Sequence, residues 1–293
     1  MTLLSAGAGS KTYMVNEMKS ISVKTKRLEK IIHRFNRVVI AFSGGVDSTF
    51  LLHVAVSLLG RENVIACIVD SKIYPRREFL QAVAFARKNK IRFRVFEINV
   101  LKKGWFRRNP VNRCYFCKKL IFAKLKRFMT SMKYDTVMDG SNFDDKFDIR
   151  YGSKAKRELG VISPLEISGL RKEEIRILSM KAHLDSYDKP SLACLASRFP
   201  TGKKITKELI MRVEKAEDVL RGMGFSQIRV RDHDGLARIE VYDREIPRFT
   251  SRDIVKKLSS KFKRLGFKHI TLDLEGYRTV LKKQKQKVLQ SFK

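Results

Sequence analysis

The chain has 293 residues, which suits one or two domains and is short for three. Apolar residues make up 43%, enough to bury a core and too many for a disordered chain; no stretch approaches the ~20 uninterrupted apolar residues of a membrane span. With 63 Lys+Arg against 30 Asp+Glu the formal net charge is +33, which favours anionic partners and says nothing of fold or reaction.

The basic residues are spread along the chain, with a locally basic stretch from Lys282 to Lys293. A compositional bias of the source proteome accounts for such an excess equally well. Residues Met1 to Ser10 lack a basic leader and a long apolar run, so no secretory signal is read and the expected location is cytoplasmic.

In chain order, Arg37 to Phe42 reads as a buried strand, followed by a glycine turn and a helix from Asp47 to Leu59. Asn63 to Val69 reads as a second strand and Pro75 to Asn89 as a helix with proline near its first turn. Arg92 to Ile98 is a third strand, Tyr115 to Met132 a helix, and Tyr134 to Met138 a fourth strand. This alternation predicts an α/β fold, a doubly wound parallel sheet with its binding crevice at the carboxyl ends of the strands. After Gly202 the pattern changes: a helix at Thr206 to Arg221, strands at Gln227 to Arg231 and Ala237 to Val241 joined through His233-Asp234-Gly235, a helix at Ser251 to Leu265, and a strand at His269 to Leu274. The expected organisation is an extension over 1–24, a nucleotide-binding domain over 25–202, a smaller α+β domain over 203–280 and a basic tail over 281–293.

Ser43-Gly44-Gly45-Val46-Asp47-Ser48 lies directly after the first strand and opens a helix. Two glycines let backbone approach an anion, successive N–H groups and the helix N-terminus point at it, and Ser43 and Ser48 add hydroxyls. Asp47 suits a helix cap or a Mg²⁺ ligand. The segment lacks the Gly-Lys-Ser/Thr ending of a Walker loop. It resembles the SGGxDS signature of the PP-loop ATP pyrophosphatases. The resemblance implies that ATP is split between its α- and β-phosphates, with Ser43, Gly44, Gly45, Asp47 and Ser48 on the leaving pyrophosphate and Val46 part of the same ATP-binding loop.

Further stretches resemble one branch, the LarE family of ATP-dependent sulfur transferases. They are Asn112-Arg113-Cys114-Tyr115-Phe116-Cys117-Lys118, Asp139-Gly140-Ser141-Asn142, the run from Asp188 to Arg198 containing Ser191-Leu192-Ala193-Cys194, Gly235 to Val241, and Leu274-Glu275-Gly276-Tyr277-Arg278. What that resemblance implies is adenylation of a carboxylate on a pyridinium biscarboxylic acid mononucleotide, followed by sulfur insertion to give a thiocarboxylate. ATP, Mg²⁺ and a [4Fe-4S] cluster are the implied cofactors. In family members with three cysteines the thiolates are thought to hold the cluster, here Cys114, Cys117 and Cys194; in others one cysteine is sacrificed, which here would be Cys194. Zinc or a disulfide is the remaining reading of Cys-x-x-Cys. Cys67, inside an apolar strand, reads as a small buried hydrophobe.

Candidate catalytic residues are therefore Cys194, Asp47 and Asp139, the last at a strand end where it suits Mg²⁺, the adenylate or a turn. Asp70 and Ser71 close the second strand, where topology places an AMP ribose or base. Ser197, Arg198, Arg229 and Arg231 are candidates for a substrate phosphate, the last two sharing one strand face in alternation. Arg150 and Gly152 match a family stretch. Trp105 stands in a basic segment, where it suits base stacking or plain loop packing. The expected partners are a small nucleotide substrate, RNA by charge alone, no membrane, and further copies of the chain. tRNA thiolation and a non-catalytic nucleotide-binding module are the competing functions.

Overall fold

The structure is a computed structural model, and it describes residues 8–147, 151–190 and 193–277. Arg150, Ser191, Leu192, Arg278 and the basic tail lie outside those residues. In chain order the elements are α1 (Ala8–Ile32), β1 (Val38–Phe42), α2 (Val46–Leu59), β2 (Val64–Asp70), α3 (Arg76–Lys88), β3 (Phe93–Glu97), α4 (Gly104–Arg107), α5 (Arg113–Ser131) and β4 (Thr136–Asp139). Then follow α6 (Tyr151–Glu158), α7 (Pro164–Ser168), α8 (Lys172–Lys181), α9 (Lys207–Gly222), β5 (Ile228–His233), β6 (Leu236–Val241), α10 (Arg252–Arg264) and β7 (His269–Leu272). No described helix is long and apolar enough to cross a membrane.

Two compact units result, both discontinuous in sequence. The first comprises Met1–Asp70, Arg77–Ile98 and Cys114–Ser191; the second comprises Ser71–Arg76, Asn99–Arg113 and Leu192–Lys293.

In the first unit four strands form a parallel sheet in the order β3-β2-β1-β4. Strands β1 and β2 are apolar in nearly every position, as strands covered on both faces must be. Leu28 and Ile32 of α1, Phe50 to Leu52 of α2, Leu165 of α7 and Ile175 of α8 are buried with them in one core. The order matters for function. From β1 the chain winds one way to β2 and β3, and β4 pairs on the other side of β1, so the direction reverses between β1 and β4. Ligands of open α/β sheets sit at that reversal, outside the carboxyl ends of the strands.

In the second unit β5 and β6 form an antiparallel hairpin and β7 joins β6 in parallel. The hairpin turns on Asp234 (φ +56°) and Gly235 (φ +92°), the two positive φ values that a two-residue type I′ turn demands. Strand β5 alternates strictly, with Ile228, Val230 and Asp232 buried and Arg229, Arg231 and His233 on the other face. Helix α9 buries Ile210, Val213, Ala216 and Leu220. Burial of each large aliphatic side chain stabilises by about 1.5–3 kcal/mol. Thr206 caps this helix, its side chain accepting from the Leu209 N–H.

Candidate active site

The phosphate loop stands at the strand-order reversal. Gly44 has φ +74°, and a Cβ there would come within 2.9 Å of Ala82 Cβ on α3, so conformation and packing both demand glycine. The Ser43 and Ser48 hydroxyls are 3.0 Å apart, and the Gly45 N–H donates to Ser43 Oγ at 3.4 Å. No side chain caps α2, whose leading amides are left to an incoming anion. Val46 is buried beneath the loop. Across the reversal, Gly140 follows β4, and a Cβ on it would meet Ser48 N at 2.8 Å. The two loops therefore touch backbone to backbone.

Two cations that sequence reasoning missed flank this loop. Lys172 Nζ, at the start of α8, donates to Asp47 Oδ2 at 2.6 Å. Lys189 Nζ donates to the Gly44 carbonyl at 3.3 Å and to Gln81 Oε1 at 3.0 Å, and burial lowers it below the ordinary lysine value. Lys189 falls in the family-like run from Asp188 to Arg198, a weak pointer; Lys172 carried no signal. Asp47 Oδ1 is buried with no hydrogen-bond partner. A buried, unsatisfied carboxylate oxygen beside a phosphate loop fits a hard cation such as Mg²⁺, which takes one or two carboxylates and completes its shell from substrate phosphates and water.

Asp139 is buried and fully engaged. Its carboxylate accepts from Ser163 Oγ at 2.6 Å and Ser141 Oγ at 2.8 Å, and Lys156 Nζ lies at 3.6 Å. The Ile98 N–H donates to the Asp70 carbonyl. Ser71 opens the short segment that belongs to the second unit, where its carbonyl accepts from the Tyr74 N–H.

Among the described residues no cysteine is in a disulfide. Cys67 is buried on β2, and burial pushes its thiol up to about 12. Helix α5 starts at Arg113, two residues earlier than the sequence indicates, which puts Cys114 and Cys117 on one helix a turn apart, the first exposed and the second buried. Cys194 is half-buried in the second unit. Thiolates suit iron–sulfur ligation. Among the described residues, however, no group of three or more His, Cys, Asp or Glu is arranged to hold a metal ion.

Within the second unit the remaining candidates converge. Cys194 stands at the start of the short turn Leu195–Arg198. Arg198 is buried and donates through Nε to Glu217 Oε1 at 2.7 Å and through Nη1 to Ser197 Oγ at 3.0 Å. Burial opposes its charge, yet Glu217 and the neighbouring Cys194 hold it above its ordinary value. Arg231 pairs with Glu240 and donates to the Ser197 carbonyl at 3.2 Å. Arg229 differs: its guanidinium lies 4.6 Å from the centre of the Tyr277 ring, and burial lowers it from its ordinary value. Among the described residues it makes no hydrogen bond or ion pair, so its donors stay open to an anion. Trp105, on α4, packs edge-on against Phe106 at 5.9 Å.

Comparison with known proteins accords with this geometry. The NAD synthase family model matches residues 20–114. The chain is 38% identical over 256 residues to an uncharacterized protein of Synechocystis sp., covering 87% of this chain and 95% of that one. It is 32% identical over 262 residues to the pyridinium-3,5-bisthiocarboxylic acid mononucleotide synthase of Lactiplantibacillus plantarum, covering 89% and 94%. It is also 27% identical over 187 residues to the ammonia-dependent NAD+ synthetase of Hyperthermus butylicus, covering 62% and 66%.

Proposed function

This chain belongs to the LarE family of PP-loop ATP-dependent sulfur transferases, and we propose that it converts a carboxylate of a pyridinium mononucleotide into a thiocarboxylate. A substrate carboxylate oxygen attacks the α-phosphorus of ATP; the α–β anhydride bond breaks and pyrophosphate leaves. A sulfur nucleophile then adds to the acyl carbon, and the bond to AMP breaks. Adenylation comes first because a carboxylate oxygen leaves poorly and AMP leaves well. The observation that carries this reading is the phosphate loop with Lys172 and Lys189 beside it, which supplies amides and cations where negative charge accumulates on the departing pyrophosphate. Mg²⁺ would be held by Asp47 and would add charge neutralisation there when bound. Arg229 on β5 and Arg198 and Ser197 on the turn would orient the substrate phosphate, with Arg231 fixing that turn.

For the sulfur, the three thiols Cys114, Cys117 and Cys194 support a [4Fe-4S] cluster by their donor chemistry. A second reading is a sacrificial Cys194, which stands half-buried at the start of the Leu195–Arg198 turn beside the buried Arg198 guanidinium. The test incubates anaerobically purified protein with Mg²⁺, ATP and pyridinium-3,5-biscarboxylic acid mononucleotide, and follows pyrophosphate and product mass. Substrate-dependent pyrophosphate and a sulfur-for-oxygen mass change are expected. Iron and acid-labile sulfide mark the cluster; loss of the elements of hydrogen sulfide from Cys194 marks the sacrificial route. Thiolation of tRNA in place of the mononucleotide would overturn the substrate, and absence of pyrophosphate release from ATP would overturn the enzyme reading.

A further inference from the structure

The second unit holds a cleft of about 510 Å³ lined by Gly104, Arg107, Arg108, Gly202 and Lys204, which the reaction above does not use. The size falls within the ~300–1,000 Å³ of small-ligand sites. Its two walls, the α4 turn and residues 200–205, are tied by three hydrogen bonds. The Ile205 N–H donates to the Arg107 carbonyl at 2.8 Å and the Gly202 N–H to the Asn109 carbonyl at 2.9 Å. Asn109 Nδ2 donates to the Pro200 carbonyl at 2.6 Å. Asn109 is wholly buried at φ +50°, so the link between the walls is set before any ligand arrives.

The charge in this cleft has one sign and no internal relief. Among the described residues the side chains of Arg107, Arg108 and Lys204 make no hydrogen bond or ion pair. Elsewhere in the same unit several arginines end on carboxylates, Arg198 on Glu217, Arg212 on Asp232 and Arg231 on Glu240, although Arg229 does not. The unit as a whole carries 32 Lys+Arg and 12 Asp+Glu, so 32 − 12 = +20. Fixed like charges repel one another, and a bound anion removes that cost; adjacent guanidinium groups add planar, bidentate donors that match phosphate oxygens.

We propose that this cleft binds phosphate oxyanions, carried by a small phosphate ester or by the backbone of a single RNA strand. The chain has one tryptophan, Trp105, next to Gly104 in the cleft wall, so its emission reports on the site. The test titrates the full-length protein with inorganic pyrophosphate and, separately, with an oligouridylate, following Trp105 emission at several salt concentrations. A saturable change with at least one ligand is expected. Arg107→Gln/Arg108→Gln should weaken binding by about 10-fold or more, since two of three charge-assisted contacts go; Lys204→Gln, on the other wall, should weaken it less. Comparing variants with the parent separates this cleft from the phosphate loop, which the substitutions leave untouched. Tighter binding of the strand, with a slope of log K against log salt of about −2 for three contacts, identifies a polyanion. Tighter binding of pyrophosphate with a shallower slope identifies a small ester. No emission change with either ligand, or equal affinity in parent and both variants, overturns the proposal.

Discussion

Breaking the Arg198–Glu217 pair tests how the Cys194 turn is held. The side chains are 5% and 1% exposed, so neither charge has water to fall back on. Glu217 accepts from Arg198 Nε and Nη2, from Arg221 Nη2 at 3.3 Å and from the Val230 N–H at 3.1 Å. Glu217→Ala leaves a buried guanidinium with no counter-charge and a β5 amide with no acceptor. Removing one partner of a buried pair costs about 3–5 kcal/mol, because the stranded charge keeps its desolvation penalty. Arg198→Met should cost a similar amount by stranding Glu217, which retains only the Val230 N–H and the weaker contact to Arg221. The double variant carries no buried charge, and its loss should fall well below the sum of the two singles, with a coupling energy of about 1–3 kcal/mol. Urea unfolding measures the three losses, and amide exchange at Val230 localises them to β5. Single losses below about 1 kcal/mol, or strict additivity in the cycle, would refute the reasoning, since either would mean the pair is solvated like a surface bridge.

Gly140→Ala forces a Cβ against Ser48 N at 2.8 Å, where backbone must move; a stability loss of about 1–3 kcal/mol and a larger fractional loss of pyrophosphate release are expected, measured by thermal unfolding and a coupled phosphate assay. Lys189 is lowered by burial, so between its folded value and the ordinary 10.5 the unfolded chain holds more protons than the folded one. Stability should therefore rise with pH through that window, and Lys189→Met should flatten the rise in a series of urea midpoints. With its thiol pushed up to about 12, Cys67 exposes only about one thiolate in 10⁴ at pH 8; iodoacetamide mapped by mass spectrometry should mark the exposed Cys114 first and Cys67 only after unfolding.

Much of the architecture is legible in the sequence because its strands are short, apolar and punctuated by glycine or asparagine. Strands β1 to β4 and helices α2, α3 and α5 fall within two residues of where periodicity puts them. The helices α6, α7 and α8 escape because each spans ten residues or fewer, below the window in which a 3.6-residue period shows itself. Strand β7 ends at Leu272 where the apolar pattern runs on to Leu274, which is 82% exposed past the sheet edge. The loop Ser43 to Ser48 is legible because one contiguous run carries its chemistry. The companions of that loop are not, because Lys172 lies 125 positions from Asp47 and Lys189 145 from Gly44; topology alone brings them together.

In so basic a chain a lysine or arginine is worth little as a signal until its partner is known. Pairing sorts the cations where count does not. Arg198 by motif and Arg231 by strand alternation are substrate-phosphate candidates, yet each ends on a glutamate, so in the free protein both hold the Cys194 turn. A guanidinium already paired can reach an anion only through donors left over, and Arg198 directs Nη1 to Ser197 and Ala193. Arg229 is a partly desolvated cation without a carboxylate, and Arg107, Arg108 and Lys204 are clustered cations without one. A cation held near others without a counter-charge raises the energy of the free protein, and a bound anion lowers it; a paired one offers no such gain. Pairing therefore separates the cations that hold the Cys194 turn in the free protein from those whose donors stay open.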